Sequence, residues 1–314
     1  MLSDKNGPRI PHFLRGKTMN SEEIKSKIAD FSWFHAIKLA EGVVSPGRFA
    51  KNIPPNWTLF PVFGLLEGIS LSGMDCIDIG ATDGLVSFIV KSEGASCVVA
   101  TDRGKRETFP FCRDILGLDV KYFPETTLDN GDLLQKLQYA QMPDKYDLVI
   151  LSGVIYHSYD PLVVMMHARS LLKPNGLLIV ESVIAPGNED ALFMNWEIEK
   201  PMPEPNTYFQ ATLKALGGLL RFCSCSCLTS VRNGTRGAVL GRACRPSEIS
   251  GCSDVLKDII ERSTCYGPLS YKELESGENQ GPISSIDYTG PIGEIEIDIQ
   301  TFSTRFSLQP EAVR

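Results

Sequence analysis

A glycine-rich turn that carries acidic residues is the segment of this sequence best suited to chemistry. The turn, Asp78-Ile-Gly-Ala-Thr-Asp-Gly84, lies at the end of a short apolar run that begins at Met74. Glycines let a backbone approach a ligand closely, and a following helix presents its N-terminal amides. A second apolar run ends in Asp102, about 20 residues later, where the ribose of a nucleotide offers its hydroxyls. This spacing predicts a site for a nucleotide-like cofactor.

The composition of the turn indicates which cofactor binds. NAD uses the same arrangement of strand, turn, helix and acid, but the full G-x-G-x-x-G fingerprint is absent here. Asp83 is unfavourable beside a pyrophosphate and acceptable beside an ammonium group, which S-adenosylmethionine (SAM) carries. The turn therefore favours SAM over a dinucleotide.

A tyrosine and a histidine follow a later apolar run, Asp147–Leu151. Histidine titrates close to neutral pH, so His157 is the first candidate for a general base that removes a proton from a nucleophile. The alternative is that His157 bonds to the backbone and shapes its loop.

Five residues are candidates for contacts with the acceptor substrate, each with a structural alternative. His35 lies in an aromatic segment that is expected to fold over the cofactor as a lid, or it packs in the core. Trp57 is either a substrate platform or a core residue. Glu181 ends a predicted strand on the ligand side, where it contacts substrate or forms a cap or salt bridge. Asn206 and Tyr208 begin a predicted helix and reach the pocket, unless Asn206 is a plain N-cap.

Strands and helices alternate through the middle of the chain, which predicts an α/β fold with a doubly wound, parallel sheet. Ligands in such folds bind at the carboxyl ends of the strands. A helix over Asn206–Leu220 and a hairpin across Asn233-Gly234 are expected to follow. The predicted strands are Met74–Ile79, Cys97–Thr101, Asp147–Leu151 and Gly176–Ser182, and the helices are Gly84–Lys91, Glu107–Leu116 and Pro161–Leu172.

Several segments, taken in order, resemble the class I SAM-dependent methyltransferases, and specifically the branch that contains the tRNA wobble-uridine carboxymethyltransferase. The likeness covers about residues 31–246 and is carried by the turn DIGATDG, Asp102, Asp147–His157 with Asp160-Pro-Leu162, Trp33–Ile37 with Gly42–Gly47, Asn206–Phe209 and Ala238–Leu240. The resemblance implies a Rossmann-like fold whose sheet has seven mostly parallel strands and a C-terminal antiparallel hairpin.

The resemblance also implies the residues of the cofactor pocket. SAM, and its product S-adenosylhomocysteine (SAH), are expected to contact Asp78, Gly80, Ala81, Thr82, Gly84, Asp102, Arg103, Ser152 and Gly153. Asp102 is expected on the ribose, and Glu125 or Thr127 near the adenine. Tyr156 and His157 are then expected to face the site of transfer.

One position departs from the branch. The carboxymethyltransferase grips its carboxylated cofactor with a lysine, the tyrosine of the Tyr-His pair and an arginine directly before the Ala-Val-Leu strand. Tyr156 matches, but Gly237 stands at the arginine position and Arg236 precedes it by one residue. A shift of one residue along a strand turns a side chain to the opposite face. Methyl transfer from SAM is therefore predicted over carboxymethyl transfer.

The overall charge indicates the class of acceptor. The chain of 314 residues has a formal net charge of -7 and a pI of about 5.3, which argues against a broad nucleic-acid-binding surface. The only modest basic clusters are Arg103–Arg106 and the arginines between 221 and 245. A small-molecule acceptor, such as a secondary metabolite methylated on oxygen or nitrogen, is predicted. A tRNA wobble uridine is the alternative partner, and a non-catalytic SAM-binding scaffold is the alternative function.

Three regions are predicted: an N-terminal arm with a helical lid at 1–70, the SAM-binding domain at 71–246 and a C-terminal appendage at 247–314. No run approaches the roughly 18 apolar residues of a membrane span, so neither a membrane partner nor a location other than the cytoplasm is expected. Cys223, Cys225 and Cys227 have a spacing unlike that of zinc ligands, and no metal is expected. The oligomeric state is left open.

Overall fold

The computed structural model describes residues 19–48, 53–128, 132–195, 207–249, 257–258, 260, 270–278 and 280–306. Its helices are α1 (Ser21–Ile28), α2 (Phe60–Leu66), α3 (Leu85–Ser92), α4 (Thr108–Leu116), α5 (Asp132–Tyr139), α6 (Pro161–Ser170), α7 (Leu213–Phe222) and α8 (Tyr271–Ser276). Its strands are β1 (Lys38–Ala40), β2 (Val43–Val44), β3 (Asp75–Ile79), β4 (Cys97–Thr101), β5 (Lys121–Phe123), β6 (Tyr146–Ser152), β7 (Leu172–Ala185), β8 (Leu192–Met194), β9 (Phe209–Thr212), β10 (Cys225–Asn233), β11 (Arg236–Ala243) and β12 (Gly293–Glu296).

One large sheet organises the molecule, in the order β12-β10-β11-β7-β6-β3-β4-β5. The strands β7, β6, β3, β4 and β5 are parallel, and β11 and β10 add an antiparallel hairpin beside β7. The predicted α/β fold with a mostly parallel sheet is confirmed. The sheet has ten strands rather than seven, because β9 pairs with β7, β8 pairs with β9, and β12 joins β10.

Helices cover both faces of the sheet, which explains why consecutive residues of its central strands β3, β4 and β6 are buried. One core contains Phe63 of α2, Phe88 of α3 and Phe109 of α4. The core on the other face contains Leu137 of α5 and Met165 of α6, and α7 joins them. This layering brings the ends of β3, β4 and β6 together at one edge of the sheet.

The N-terminal region is only partly helical. Asn20 caps α1 by accepting from the amides of Glu22 and Glu23. The chain after α1 is extended and leads into the β1–β2 hairpin. The predicted helical lid is therefore wrong for the part that reaches the cofactor side, because residues 32–35 follow the helix as a loop.

The predicted helix over Asn206–Leu220 begins later than expected. Residues Phe209–Thr212 form β9, whose four side chains are buried, and pair with β7. The Thr212 hydroxyl then accepts from the amide of Ala215 and starts α7. Burial against β7 thus outweighs the helical preference of this stretch. Asn206 itself lies outside the described residues.

The C-terminal segment packs on the sheet. The Ser284 hydroxyl donates to Asp147 of β6 at 2.6 Å, and the ring of Phe302 lies 5.0 Å from that of Phe60 in α2. Residues 280–306 therefore share the main core, while the division into three domains stays a prediction. None of the helices in the described part of the chain has the length and hydropathy that a membrane span requires.

Candidate active site

A cavity of about 560 Å³ lies at the carboxyl ends of β3, β4 and β6. Cavities of this size typically hold a small molecule or cofactor. Of the nine residues predicted for the cofactor, eight line it: Asp78, Gly80, Ala81, Thr82, Asp102, Arg103, Ser152 and Gly153. Thr127 also lines the cavity, whereas Glu125 does not. The topology therefore gathers segments that are up to 75 residues apart in the sequence, from Asp78 to Gly153.

Two glycines of the turn serve different purposes. Gly80 has a φ of 82°, and a Cβ atom there would meet Val154 Cγ2 at 2.5 Å, so the turn and the β6 loop touch beside the cavity. Gly84 has a φ of 92°, and its Cβ would meet the rings of Phe88 and Phe109 at 2.6–2.7 Å. Gly84 does not line the cavity, because it packs against the aromatic core under α3.

Asp102 is held by the turn that it faces. Its carboxylate accepts from the amide of Thr82 at 2.9 Å and from the amide of Gly104 at 2.8 Å. The side chain is buried and lines the cavity. Because both amides fix the carboxylate, its remaining lone pairs point to a defined place, as a hydroxyl-binding residue requires.

Asp78 is a buried carboxyl group at the end of β3. Burial raises its pKa to about 6, although a hydrogen bond of 2.6 Å from the Ser87 hydroxyl partly opposes that rise. A cationic ligand group beside Asp78 would favour the ionised form.

Asp83 faces the lid. One carboxylate oxygen accepts from the backbone amides of Phe34 at 2.7 Å and His35 at 2.8 Å, and the other accepts from the Thr108 hydroxyl at 2.7 Å. The expected contact with an ammonium group is therefore wrong for this residue, which does not line the cavity. Asp83 instead joins the cofactor turn to the lid and to α4.

His35 is brought into the cavity wall by that contact. Its side chain is buried, and burial lowers its pKa to about 4, so the ring is neutral at neutral pH. Its Nδ1 atom has no hydrogen-bond partner among the described residues. A buried polar atom of this kind in a cavity wall is available to a ligand or to an ordered water.

A buried ion pair lies on the opposite side of the cavity. The Arg236 guanidinium donates to Glu181 at 2.7 and 2.9 Å and to the Tyr156 hydroxyl at 3.2 Å. Burial opposes its charge, but Glu181 outweighs this effect and raises the pKa of Arg236. Arg236 and Tyr156 line the cavity. Glu181 does not line it, but its carboxylate accepts hydrogen bonds from Arg236 and, at 3.0 Å, from the Ser152 hydroxyl, both of which belong to wall residues.

The prediction that Arg236 faces away from the site is wrong. Ala238 lies opposite Glu181 in the sheet, and Arg236, two residues earlier, shares its face. Gly237 points to the other face, where a Cβ atom would meet Ile184 and Leu213 at 2.9 Å. Which face of β11 meets the cavity is decided by its pairing with β7, so the sequence alone did not place Arg236 in the wall.

Of the three remaining candidates, His157 lines the cavity, whereas Tyr208 and Trp57 do not. His157 lines the cavity in a short 3₁₀ turn, with its ring 4.2 Å from that of Tyr156. Tyr208 does not line the cavity but stacks on Tyr159 at 4.0 Å, and its amide donates to the carbonyl of Tyr156. Trp57 also lies outside the wall, to which the next residue, Thr58, contributes.

The wall also contains residues that sequence reasoning did not assign to the site, among them Arg48, Arg106 and Val164. Arg48 directly follows the Gly42–Gly47 segment, and Arg106 ends the basic cluster after β4, but no spacing rule connects either residue to the turn. Among the described residues, no group of His, Cys, Asp and Glu side chains has the arrangement of a metal site.

Comparison of the sequence with known protein families supports the cofactor site described above. A family model described as a methyltransferase domain matches residues 59–219, which is slightly more than half of the chain. The chain belongs to the methyltransferase domain family. The predicted resemblance to class I SAM-dependent methyltransferases is thereby confirmed.

Individual relatives of this methyltransferase chain are more distant. The tRNA U34 carboxymethyltransferase of Campylobacter hominis is 27% identical over 169 residues, covering 52% of this chain and 55% of that protein. The enzyme of the same name from Chromohalobacter salexigens is 29% identical over 158 residues, covering 49% and 44%. The chain thus spans about half the length of these curated relatives.

Solved structures with the same fold include the N-terminal domain of EvdMO1, crystallised with SAH and D-fucose. It is 16% identical, has a TM-score of 0.50 and covers 73% of this chain and 100% of that domain. At this identity the likeness concerns the fold alone.

Proposed function

We propose that this chain transfers a methyl group from SAM to an oxygen or nitrogen of a small-molecule acceptor and releases SAH. The observation that carries the proposal is the meeting of Asp78–Thr82, Asp102 and Ser152–Val154 at one cavity. These segments follow three adjacent parallel strands, where a nucleoside joined to an amino acid binds in this fold class.

The residues of the wall fit such a cofactor. Gly80 brings no side chain to the wall, so a ligand can approach its backbone closely. Asp102 is fixed by two amides and suits ribose hydroxyls, while Asp78 suits an ammonium group. Thr126, Thr127 and Leu128 supply the wall beyond β5, where an adenine would lie.

The chain's own residues are suited to positioning and to proton removal. Bound SAM supplies an electrophilic methyl group on a sulfonium, so the protein mainly has to align the acceptor and accept its proton. His157 lines the cavity and is the candidate base, whereas the low pKa of His35 makes it a hydrogen-bonding residue rather than a base. The lid residues Ser32–His35 line the same cavity and are expected to limit the access of water to a bound substrate.

A small acceptor is supported by the net charge of -7 and by the lid over the cavity. A nucleic-acid substrate requires phosphate-neutralising cations over a broad surface. The relatives named as tRNA enzymes match only about half of their length to this chain.

The test is to follow a labelled methyl group. Purified protein is incubated with tritiated-methyl SAM and either a low-molecular-mass metabolite extract or total tRNA. Label is expected in the small-molecule fraction and is expected to fall at least about tenfold with His157→Gln. His167→Gln is the matched control, since His167 lies on α6 outside the cavity wall. Label confined to tRNA would contradict the proposal.

Carboxymethyl transfer to tRNA is the second candidate function, and one observation favours it. Arg236 and Tyr156 lie together in the wall, as a carboxylated cofactor would require, and the relatives described above are named tRNA U34 carboxymethyltransferases. Against it, Glu181 already neutralises Arg236. Titration with SAM and carboxy-SAM decides: tighter binding of carboxy-SAM, lost in Arg236→Gln, would establish the second candidate.

A further inference from the structure

The wall of the cavity holds more positive than negative charge. Four arginines line it, Arg48, Arg103, Arg106 and Arg236, beside only two carboxyl groups, those of Asp78 and Asp102. Glu181 neutralises Arg236 from behind the wall. In an acidic protein, this local excess of cations points to an anionic ligand.

The three remaining arginines have no ion pair among the described residues, unlike most arginines elsewhere in the structure. Outside the cavity, the guanidinium groups of Arg113, Arg232, Arg242 and Arg305 pair with carboxylates. The cations around the cavity therefore lack the carboxylate partners that these four arginines have.

The donor does not supply the missing charge. SAM carries a sulfonium and an ammonium group against a single carboxylate, so its binding adds one net positive charge to the cavity. The donor therefore offers the arginines a single carboxylate and adds two cationic groups of its own. An anionic group on the other substrate would complement the arginines of the wall.

Two of the arginines are linked to the lid. The Arg48 guanidinium lies over the Phe34 ring, 5.4 Å from its centroid, which orients the group and leaves its N–H edge available. Arg106 belongs to the loop between β4 and α4 and acts electrostatically on His35, the neighbour of Phe34. Both side chains reach the cavity from an exposed rim.

We infer that the acceptor is a small molecule with a carboxylate or phosphate group, which Arg48 and Arg106 bind at the rim while its nucleophile points toward His157. This inference rests on the proposed function and names the class of acceptor. A single anionic group between the lid and the β4–α4 loop also draws the lid onto the bound substrate.

The test uses SAH-bound protein and two simple anions, inorganic phosphate and benzoate, titrated calorimetrically at an ionic strength held constant with sodium chloride. Saturable binding of at least one anion is expected, and the stronger one identifies the anionic group. Arg48→Gln and Arg106→Gln are each expected to weaken it about fivefold or more. Lys105→Gln is the matched control. It removes one positive charge from the same loop as Arg106→Gln, but Lys105 does not line the cavity.

The outcomes separate this inference from the proposed function. SAH titration comes first, and its failure contradicts the proposed function before any anion is added. With SAH bound, the inference is overturned if neither anion binds more strongly than chloride or if Lys105→Gln loses as much affinity as Arg106→Gln. It is also overturned if a single-stranded RNA oligonucleotide displaces the anion and binds more tightly, since the rim then serves a nucleic acid.

Discussion

Asp78 lies buried at the end of β3, and the pKa of its carboxyl group is raised to about 6 by burial. If it receives the ammonium group of the cofactor, the ionised form binds and the protonated form does not. Affinity for SAH is therefore expected to rise with pH up to about 6 and to level off above it, with at most about a tenfold change per pH unit below the pKa.

Calorimetric titration of SAH between pH 5 and 8 measures this profile. Asp78→Asn is expected to bind weakly and without the rise. A wild-type affinity that is constant or falls over this range would show that Asp78 does not contact a cation.

Both side chains of the ion pair between Glu181 and Arg236 are buried. The exposed fraction is 0% for Glu181 and 6% for Arg236. Glu181→Gln leaves the guanidinium without a counter-charge, and removal of one partner from a buried pair costs about 3–5 kcal/mol. Urea unfolding measures the free energy. The matched comparison is Asp287→Asn, which breaks an ion pair with Arg242. The Asp287 side chain is 75% exposed, so this change is expected to cost less than about 1 kcal/mol. Equal costs for the two variants would contradict the role of burial.

At the scale of elements, Asp83 joins the lid to the cofactor turn. Alanine has no acceptor oxygen, so Asp83→Ala removes the hydrogen bonds to both the lid amides and the Thr108 hydroxyl. Asp83→Ala is expected to raise hydrogen exchange at Phe34 and His35 and to weaken SAH binding, while exchange in β6 stays as it is. Asp114→Ala, which removes only an exposed pair with Arg113, is the control. Unchanged exchange in the lid would show that other contacts hold it.

The elements around the cofactor turn were predictable because their signals are local. Two apolar strands end in acidic residues, one in Asp78-Ile-Gly and the other in Asp102. The end of each strand can therefore be recognised from the sequence. The face of Arg236 depended on the register of β11 against β7, and the start of α7 depended on the burial of β9. Both are set by tertiary pairing, which local patterns do not encode.

The lid, too, could be predicted only in part from the sequence. Its residues Ser32–His35 have no regular structure and are positioned by the Asp83 carboxylate, 48 residues away from His35 in the sequence. The sequence predicted a lid that contains His35 but not its conformation. Arg48 and Arg106 were missed for the same reason, since only the folded chain brings them to one rim.

At the scale of the whole molecule, the C-terminal segment is part of the main core. Strand β12 pairs with β10, and Phe302 and Phe306 pack on Phe60 and Phe63. Deletion of residues 283–314 is therefore expected to lower the melting temperature by several degrees and to expose α2, as loss of a few kcal/mol does in a chain of this size. A truncated protein that melts like the full chain would instead support a separate appendage at the C-terminus.

The central claim is that the cavity at the ends of β3, β4 and β6 holds SAM. Isothermal titration of ligand-free protein with SAH and, in parallel, with NAD tests it most directly. We expect stoichiometric binding of SAH and no detectable heat with NAD, since the turn lacks the dinucleotide fingerprint. Binding of NAD without binding of SAH would contradict the account.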